Sequence, residues 1–405
     1  MSNTPSALGA SCWLTIVGLG EDGPEGLPPA TLAALETAEI VMGAKRHLAL
    51  LPELAAKTIE WPVPFADGLP VLMSYRGRRV VALASGDPFW HGAGTALTKA
   101  LPREQWRCLP APSTLSFAAA ALGWPLEKIG CYGLHAAPFE TIRSELYPNA
   151  RLIVTLRDGA AVVDFAAWLK AQGFGASTLH VMEALGGPRA RVRRCLADNL
   201  PDDIAHPVCV GLEVAGGGEV ISRASGRKDA LFDNDGQITK RPVRALTLSA
   251  LSPLPNEHLW DIGGGSGSIG IEWLMAHPTT QATTIEIDPD RATRIVANAA
   301  QLGVSRLTVV TGAAPDALPG LEKPDAIFIG GGISQEMLAW IWGNLPGGVR
   351  LVANAVTLEA EALLAHWHAQ KDGDLLRIEL SESKPLGRKR GWKASYPIVQ
   401  WSVTL

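Results

Sequence analysis

Along almost all of its length, the chain alternates short apolar runs, which are typical of β-strands, with segments of helical character. Cys12–Gly18, Arg79–Ala84, Leu152–Leu156 and Thr178–Met182 are predicted strands, and Gly159–Gln172 is a predicted helix. Strands that alternate with helices build layered α/β domains. The sequence therefore predicts an α/β protein.

A polar stretch, Ser222–Gly236, divides this alternation into two series. We place a domain boundary near Ser225–Asp229, which predicts domains over residues 11–224 and 229–405. More than one domain is expected in a chain of 405 residues, because typical domains have about 100–200 residues. The second series ends with two runs that are predicted to pair as strands, Leu375–Ser381 and Tyr396–Val403.

Composition excludes several classes of protein. Hydrophobic residues make up 47% of the chain and charged residues 19%, which is a balance typical of folded proteins. The net charge of −4 argues against a nucleic-acid-binding protein, because such proteins usually carry a strongly basic domain. Five scattered cysteines without a C-x-x-C pair predict neither a disulfide framework nor a zinc site. Without a secretory signal or a long apolar run, a cytoplasmic protein with no membrane partner is expected.

The glycine-rich segment Trp260–Gly270 (WDIGGGSGSIG) follows a predicted strand and opens a predicted helix. Glycines at such a junction permit a tight turn and let the backbone approach a ligand at the helix N-terminus. The spacing Gly265-x-Gly267-x-x-Gly270 matches the fingerprint of NAD-binding folds. Asp261, in contrast, favours a ligand with a cationic amino group, since an acidic side chain repels a pyrophosphate.

A second acidic residue, Glu286, lies near the end of the next predicted strand, Gln281–Ile287. A carboxylate there can accept hydrogen bonds from both hydroxyls of a ribose. NAD and S-adenosylmethionine (SAM) share that ribose, so Glu286 predicts an adenosyl ligand without separating the two. Gly312–Leu318 follows the next strand and is a candidate for packing on adenine, although ordinary turns have the same composition.

Four segments of the N-terminal part occur in the order of one family's motifs. They are Val17–Leu27 (VGLGEDGPEGL), Ala84–Gly92 (ASGDPFWHG), Pro110–Thr114 (PAPST) and Met182–Pro188 (MEALGGP). Together they resemble the class III, tetrapyrrole-type methylases. The resemblance implies a fold of two α/β lobes that binds a folded SAM in a cleft. It implies a pocket lined by Asp87, Trp90, Ser113, Thr114 and Met182.

The chain departs from that family's pattern in two loops. Many members carry Gly-Pro-Gly-Asp-Pro where this chain has Gly20-Glu21-Asp22-Gly23-Pro24. An acidic residue commonly follows the position of Pro188, where this chain has Arg189-Ala190-Arg191. No ligand contact is predicted for these two loops.

In the C-terminal part, Asp261-x-Gly263-x-Gly265-x-Gly267 is similar to the first motif of class I SAM-dependent methyltransferases, which have a Rossmann-like fold. With Phe232–Arg244, Ala245–Leu251 and Pro385–Trp401, the two parts resemble the fused precorrin-6Y C5,15-methyltransferases (decarboxylating) of cobalamin biosynthesis. The resemblance implies two SAM sites. It implies methylation of a tetrapyrrole at carbon 5 by the N-terminal domain, and methylation at carbon 15 with decarboxylation of an acetate side chain by the C-terminal domain. It places Thr239, Gly263, Gly265, Gly267, Glu286 and Ala314 in the second SAM site.

This chemistry requires little from acidic or basic side chains. Methyl transfer to a nucleophilic carbon depends on positioning, and the macrocycle itself accepts the electrons that decarboxylation releases. No metal is therefore expected, and no metal-ligand set or nucleophilic triad is evident in the sequence. A general acid or base would assist proton transfer. Asp87, His91 and Asp325 are candidates by position only, and a structural role fits each of them equally well.

Two basic runs suit a polycarboxylate substrate. The first contains Arg189, Arg191, Arg193 and Arg194, and the second contains Lys384, Arg388, Lys389, Arg390 and Lys393. We hypothesise that one or both bind acetate and propionate side chains, and the alternative is a solvated charged surface. Gly330–Gly332 is expected on the substrate side of the second site. A homo-oligomer formed through the C-terminal domain is the expected assembly.

Three alternative functions are open at this point. The first is a methylase of another precorrin or porphyrinoid. The second is an NAD-dependent oxidoreductase that uses Gly265–Gly270, and the third is a tetrapyrrole carrier without catalytic activity. Binding of SAM or of NAD separates the first from the second. Transfer of a labelled methyl group excludes the third.

Overall fold

A computed structural model describes residues 12–405, which form two compact units. The first unit contains residues 12–137 and 146–219, and the second contains Pro138–Glu145 and Val220–Leu405. Pro138–Glu145 therefore groups with the second unit although its sequence lies within the first. Its carbonyl at Glu140 lies so close to Gly303 that a β-carbon there would collide with it. The boundary near Ser225–Asp229 stays a prediction.

The first unit opens with a parallel sheet. Its elements are β1 Leu14–Leu19, β2 Ile40–Gly43, β3 Lys57–Glu60, β4 Val80–Ser85, β5 Trp106–Leu109, α1 Pro29–Glu36, α2 Lys45–Ala49, α3 Gly68–Met73 and α4 Ala93–Lys99. The strands pair in the order β3-β2-β4-β1-β5, and each neighbouring pair is parallel. Alternate residues of β1 enter two hydrophobic clusters, one on each face of the sheet. All five carboxyl ends therefore lie at one edge, where open α/β sheets bind ligands.

The second sheet of this unit is mixed. Its elements are β6 Gly130–Gly133, β7 Arg151–Leu156, β8 Thr178–Glu183, β9 Arg191–Leu196, β10 Val208–Glu213, α5 Thr114–Leu122 and α6 Gly159–Ala171. The order is β6-β7-β10-β8-β9, and only β6 and β7 are parallel. Ser113 caps α5 and Asp158 caps α6, because each side chain accepts a hydrogen bond from a backbone N–H in the first turn. Two α/β lobes agree with the predicted fold.

The second unit is built on one seven-stranded sheet. Its elements are β11 His258–Ile262, β12 Gln281–Glu286, β13 Thr308–Thr311, β14 Ala326–Ile329, β15 Arg350–Ala355, β16 Asp374–Ile378, β17 Ser381–Leu386, β18 Lys389–Ala394, β19 Ile398–Thr404, α7 Arg241–Leu251, α8 Ser268–Ala276, α9 Pro289–Gln301, α10 Gln335–Asn344 and α11 Leu358–Lys371. The order β13-β12-β11-β14-β15-β19-β16 is parallel over its first five strands, and β19 is antiparallel to both neighbours. The predicted α/β class is confirmed, as is the closing pair of β16 and β19. The hairpin of β17 and β18 was not predicted.

A buried ion network joins the segment before α7 to α8. Arg244 and Glu272 have no exposed side-chain surface, and Arg244 Nε donates to Glu272 Oε1 at 2.7 Å. The backbone N–H groups of Gly226 and Arg227 donate to the same carboxylate at 2.8 and 2.9 Å. Arg244 also donates to the Thr239 carbonyl. Buried charges need such complete pairing, so this network fixes the chain that leads to Thr239.

Within residues 12–405, no helix has the length and apolar character needed to cross a membrane. The same part of the chain contains no group of three or more His, Cys, Asp or Glu side chains placed to hold a metal ion. The five cysteines are free thiols.

Candidate active sites

A cavity of about 1330 Å³ lies at the carboxyl edge of the seven-stranded sheet. The loops after β11, β12, β13 and β14 line it, together with the segment before α7 and parts of β15, β17, β18 and β19. Parallel strands bring these loops together, because their carboxyl ends share an edge. Its polar and charged lining side chains include Thr239, Lys240, Glu286, Arg291, Asn354, Glu382, Lys384, Lys393 and Tyr396.

The glycine loop between β11 and α8 lines one end of the cavity through backbone that only glycine adopts easily. Gly263, Gly265 and Gly267 have φ values of 75°, 57° and 74°. A β-carbon on Gly263 would lie 2.8 Å from the backbone nitrogen of Gly331, so two cavity loops touch there. A β-carbon on Gly265 would lie 2.9 Å from the Gln237 carbonyl oxygen. The glycines thus allow three backbone segments to converge on the cavity.

Glu286, the last residue of β12, is buried with 4% exposure and lines the cavity. Its Oε2 accepts from the Gly265 N–H at 2.8 Å, and its Oε1 accepts from the Asp288 N–H at 3.0 Å. A carboxylate has about four acceptor positions, so positions are left for two hydroxyl groups in the cavity. This geometry supports the ribose contact expected from the sequence.

Asp261 does not line the cavity, which corrects its expected contact with a cationic amino group. It is 1% exposed, and its Oδ2 accepts from the Gly270 N–H at 3.0 Å and from Thr284 Oγ1 at 3.3 Å. Burial raises the pKa of this carboxyl to about 7, and the negative charge of Glu286 also raises it. Asp261 therefore stabilises the first turn of α8 through its hydrogen bond with the Gly270 N–H.

Five of the six predicted residues of this site line the cavity, namely Thr239, Gly263, Gly265, Glu286 and Ala314. The sixth, Gly267, is not among the lining residues. A β-carbon there would lie 2.7 Å from Ile295 Cγ2, so Gly267 permits close packing of the loop against α9. Gly330–Gly332 also line the cavity, and their position on its substrate side stays a prediction.

The structure corrects the expectation that Asp325 is a candidate for proton transfer in the active site. Asp325 immediately precedes β14, so it lies at the amino edge of the sheet, whereas the cavity lies at the carboxyl edge. Its Oδ2 accepts from the His258 N–H at 2.8 Å. The residue joins the starts of two strands and does not reach the cavity.

The second basic run divides into two groups. Lys384 and Lys393 line the cavity, whereas Arg388, Lys389 and Arg390 do not. Lys240, which the sequence did not single out, lines the cavity as well. Asn354 was also missed, although a polar residue near the end of the apolar run of β15 was a usable signal.

In the first unit, all four motif loops converge at the carboxyl edge of the parallel sheet. The Gly86 N–H donates to the Leu19 carbonyl at 3.0 Å, and the Ala111 N–H donates to the Gly86 carbonyl at 3.1 Å. Gly86 has a φ of 49°, and a β-carbon there would lie 2.9 Å from the Pro112 carbonyl oxygen. A β-carbon on Gly187 would lie 2.5 Å from the Glu21 carbonyl oxygen. The loops after β1, β4, β5 and β8 therefore touch one another.

The predicted residues of this first site differ in accessibility. Asp87 accepts from the Phe89 N–H at 2.9 Å, and Trp90 is 43% exposed. Thr114 is exposed at the start of α5, while the Ser113 hydroxyl caps that helix. Met182 is completely buried in a hydrophobic cluster, so only its main chain is available to a ligand.

His91 is exposed and has a φ of 49°, which is unusual for a residue other than glycine. Its ring contacts those of Trp90 and His135, with centroids 5.5 and 6.3 Å away. The three rings lie beside the Asp87 loop. This placement keeps His91 as a candidate for proton transfer.

The two loops that depart from the family pattern meet each other. Arg189 Nη2 lies 3.1 Å from Glu21 Oε2, and Arg46 forms a second ion pair with Glu21. Arg46 also contacts His47 Nε2 at 3.0 Å, and His47 Nε2 lies 2.9 Å from Ser85 Oγ. Burial lowers the pKa of His47 to about 4, and the charge of Arg46 lowers it further. In the sequence, the basic residues Arg46 and His47, which closely follow β2, could have indicated this group of polar side chains.

Two further arginines of the first basic run, Arg191 and Arg193, have partners within the fold. Arg191 Nη2 lies 2.7 Å from Glu183 Oε1, and Arg193 Nη2 lies 3.0 Å from Glu183 Oε2. Asp203 pairs with both arginines at 3.1 and 3.0 Å. Glu183 is 1% exposed, so two of the four expected carboxylate-binding arginines neutralise a buried carboxylate instead.

Comparison with known proteins gives matches to both units. Residues 13–201 match a family model described as tetrapyrrole (corrin/porphyrin) methylases, and residues 230–405 match one described as a precorrin methyltransferase domain. A precorrin-6Y C(5,15)-methyltransferase (decarboxylating) from Sinorhizobium sp is 48% identical over 410 residues, which cover 100% of this chain and 99% of that protein.

Two shorter relatives from Salmonella typhimurium each match part of the chain. A cobalt-precorrin-6B C(15)-methyltransferase (decarboxylating) is 35% identical over 42% of this chain and 92% of its own length. A cobalt-precorrin-7 C(5)-methyltransferase is 28% identical over 44% of this chain and 88% of its own length. The predicted family is thus confirmed, and the NAD and carrier alternatives find no support. With 48% identity along essentially the full length of both chains, the chain belongs to the family of precorrin-6Y C(5,15)-methyltransferases (decarboxylating).

Proposed function

We propose that the chain methylates precorrin-6Y at carbons 5 and 15 and decarboxylates an acetate side chain, which gives precorrin-8 in cobalamin biosynthesis. SAM is the methyl donor, as membership of this methyltransferase family implies, and each unit has its own SAM site. The first unit methylates carbon 5, and the second methylates carbon 15 and removes carbon dioxide. The observation that carries the proposal is the cavity of about 1330 Å³, whose lining combines the glycine loop and Glu286 with three lysines.

The glycine-loop end of the cavity suits the methyl donor. Backbone of Gly263 and Gly265 approaches the ligand, Glu286 accepts from the ribose hydroxyls, and Ala314 packs on the adenine. When SAM is bound, its sulfonium supplies an electrophilic methyl group. The protein's part is to orient the two reactants and keep water away from the reacting carbon. Val243, Met337, Val356 and Ile398 supply apolar lining for this purpose.

The same cavity also suits a polycarboxylate macrocycle. Lys240, Lys384 and Lys393 line it and offer cationic partners for propionate and acetate groups. Pockets for single small molecules usually have volumes of about 300–1000 Å³. The larger volume of this cavity supports simultaneous binding of donor and tetrapyrrole.

In the first unit, the proposal assigns SAM to the convergent loops. Asp87, Trp90, Ser113, Thr114 and the main chain of Met182 form this site. His91 moves the proton that leaves carbon 5 after methylation. The contacts among the loops after β1, β4 and β5 support this assignment.

The test is the mass of the product formed by the whole enzyme from precorrin-6Y and methyl-labelled SAM. The wild type is expected to add two labelled methyl groups and to remove carbon dioxide. Glu286→Ala weakens donor binding in the second unit by about tenfold to a hundredfold, because it removes hydrogen bonds to a charged acceptor. Asp87→Ala is the matched variant in the first unit.

Whichever reaction comes first, one of these two variants accumulates a product with one labelled methyl group. If Glu286→Ala is that variant, the labelled methyl group is on carbon 5, and if Asp87→Ala is, the label is on carbon 15 and the product has lost carbon dioxide. Unchanged methylation at carbon 15 and unchanged SAM affinity in Glu286→Ala contradict the assignment of the second site. A homo-oligomeric, cytoplasmic enzyme stays a prediction, which sedimentation and cell fractionation test.

A further inference from the structure

The apolar sequence of β15 is interrupted by a polar residue, Asn354, where the strand reaches the cavity. Val352 belongs to a hydrophobic cluster on one face of the sheet, with Leu248 and Leu251 of α7. Asn354 is two residues further along and shares that face, since side chains alternate along a strand. The apolar pattern therefore ends at a residue that lines the cavity. An apolar residue at position 354 would simply have extended the cluster.

Two deeply buried side chains hold the Asn354 amide. Asn354 Nδ2 donates to Thr247 Oγ1 at 2.9 Å, and Gln400 Nε2 donates to Asn354 Oδ1 at 3.0 Å. Thr247 has 0% and Gln400 3% exposure. Gln400 is the direct register partner of Asn354 across the pair of β15 and β19. The three residues come from three different elements, so the amide is fixed in orientation.

Thr247 and Gln400 remain hydrogen-bonded to each other without Asn354. Gln400 Nε2 also donates directly to Thr247 Oγ1 at 3.0 Å, so these two buried groups would remain paired without it. Burying polar groups in a core is unfavourable unless they are well paired. The arrangement therefore serves to hold an amide at the cavity wall.

The amide keeps bonding capacity toward the cavity. Nδ2 has two hydrogens and Oδ1 two lone pairs, and the network uses one of each. Ile329 pairs with Ala353 in register, so Asn354 lies level with Gly330, which also lines the cavity. One free N–H donor and one free acceptor complement neighbouring tetrapyrrole ring nitrogens, of which one carries hydrogen and the other is of imine type.

We propose that Asn354 binds the ring nitrogens of the tetrapyrrole in the second site, and that Thr247 and Gln400 are positioning residues that act through it. This inference rests on the proposed function of the cavity. Asn354 fixes the macrocycle so that carbon 15 faces the methyl donor. The lysines at the rim bind the carboxylates, whereas Asn354 sets the rotation of the ring.

The test uses the full-length enzyme and follows methylation and loss of carbon dioxide separately. Asn354→Leu keeps the size of the side chain and removes both hydrogen-bonding groups. We expect kcat/KM for the second unit's reaction to fall by about tenfold to a hundredfold. SAM affinity, measured by calorimetry, is expected to change less than about twofold, since the donor end is untouched.

Thr247→Val and Thr247→Ser form a matched pair that does not alter a cavity residue. The valine variant loses the hydroxyl that holds the amide, so it is expected to reproduce a smaller part of the Asn354→Leu defect. The serine variant restores the hydroxyl and is expected to recover activity. Unchanged kcat/KM in Asn354→Leu overturns the inference, and so does a loss of SAM affinity that parallels the loss of activity. If the wild type does not bind SAM at Glu286, the proposed function itself fails.

Discussion

Asp261 couples the glycine loop of the second unit to pH. Burial raises the pKa of this carboxyl from its ordinary value of 3.8 to about 7. Between these values the folded protein retains a proton that the unfolded chain has released. The stability that this proton contributes is fully present below pH 3.8 and is lost as pH rises through about 7. The free energy of unfolding is therefore expected to decrease across that range because of Asp261.

Asp261→Asn isolates this effect, because its amide oxygen still accepts from the Gly270 N–H but does not ionise. Relative to the variant, the wild type is expected to lose about 2–3 kcal/mol of unfolding free energy between about pH 5 and about pH 8. Denaturant unfolding at both pH values measures this difference. Asp374→Asn, an exposed change on β16, is the control. Identical pH dependence in wild type and Asp261→Asn would exclude the coupling.

At the same scale, residues in local motifs were predictable and residues with distant partners were not. Gly263, Gly265 and Glu286 follow from a strand, a turn and a helix that are contiguous in sequence. Asp325 was misplaced because sequence position alone did not show which edge of the sheet it occupies. Glu21 and Arg189 departed from the family pattern separately, and only the fold shows that the two departures form one ion pair.

Among the elements, the hairpin of β17 and β18 forms an exposed wall of the cavity in the second unit. Lys384 and Lys393 line the cavity, while Trp392 is 79% exposed. Lys384 pairs with Glu382 at 2.6 Å, but both side chains are more than half exposed. Exposed ion pairs contribute about 0–1 kcal/mol. Lys384 can therefore exchange this partner for a substrate carboxylate at little cost.

Replacing Lys384 and Lys393 together by alanine is expected to raise KM for the tetrapyrrole about tenfold, with a weaker dependence of KM on salt. SAM affinity and the thermal midpoint are expected to stay unchanged. Steady-state kinetics at two ionic strengths provides the measurement. The control replaces Arg388 and Lys389, which lie at the hairpin turn outside the cavity lining. An equal effect in the control would show that only the general positive charge of the hairpin matters.

Elements with strong apolar runs were predictable, and short or polar ones were not. Leu14–Leu19 and Gln281–Glu286 are buried strands that the sequence indicates clearly. β9 alternates intermediate and exposed residues, four of them basic or sulfur-containing, and β17 is exposed throughout. Pairing with a neighbouring strand, rather than burial of its own side chains, makes each of them a strand.

For the whole molecule, the buried ion network predicts where the second unit can be separated. A fragment that begins at Val220 keeps Gly226 and Arg227, which bond Glu272, whereas one that begins at residue 230 loses both. We expect the shorter fragment to be less stable by about 3 kcal/mol, because a buried carboxylate loses partners. Denaturant unfolding of the two fragments measures this.

Arg223→Ala in the longer fragment is the control, because Arg223 is 75% exposed and its partner Glu145 is absent from both fragments. Its midpoint is expected to match that of the unchanged fragment. Equal stability of the fragments beginning at 220 and 230 would mean that the domain starts after the network. The division would then agree with the predicted start at residue 229.

Pro138–Glu145 groups with residues that follow it far along the chain, among them Gly303. A ribosome completes this segment well before the residues that surround it, so during translation the segment is finished while its partners do not yet exist. Contacts between such distant residues form late in folding. Production of the two halves as separate polypeptides would leave this segment on the wrong chain, so the fold itself favours keeping both activities in a single translation product.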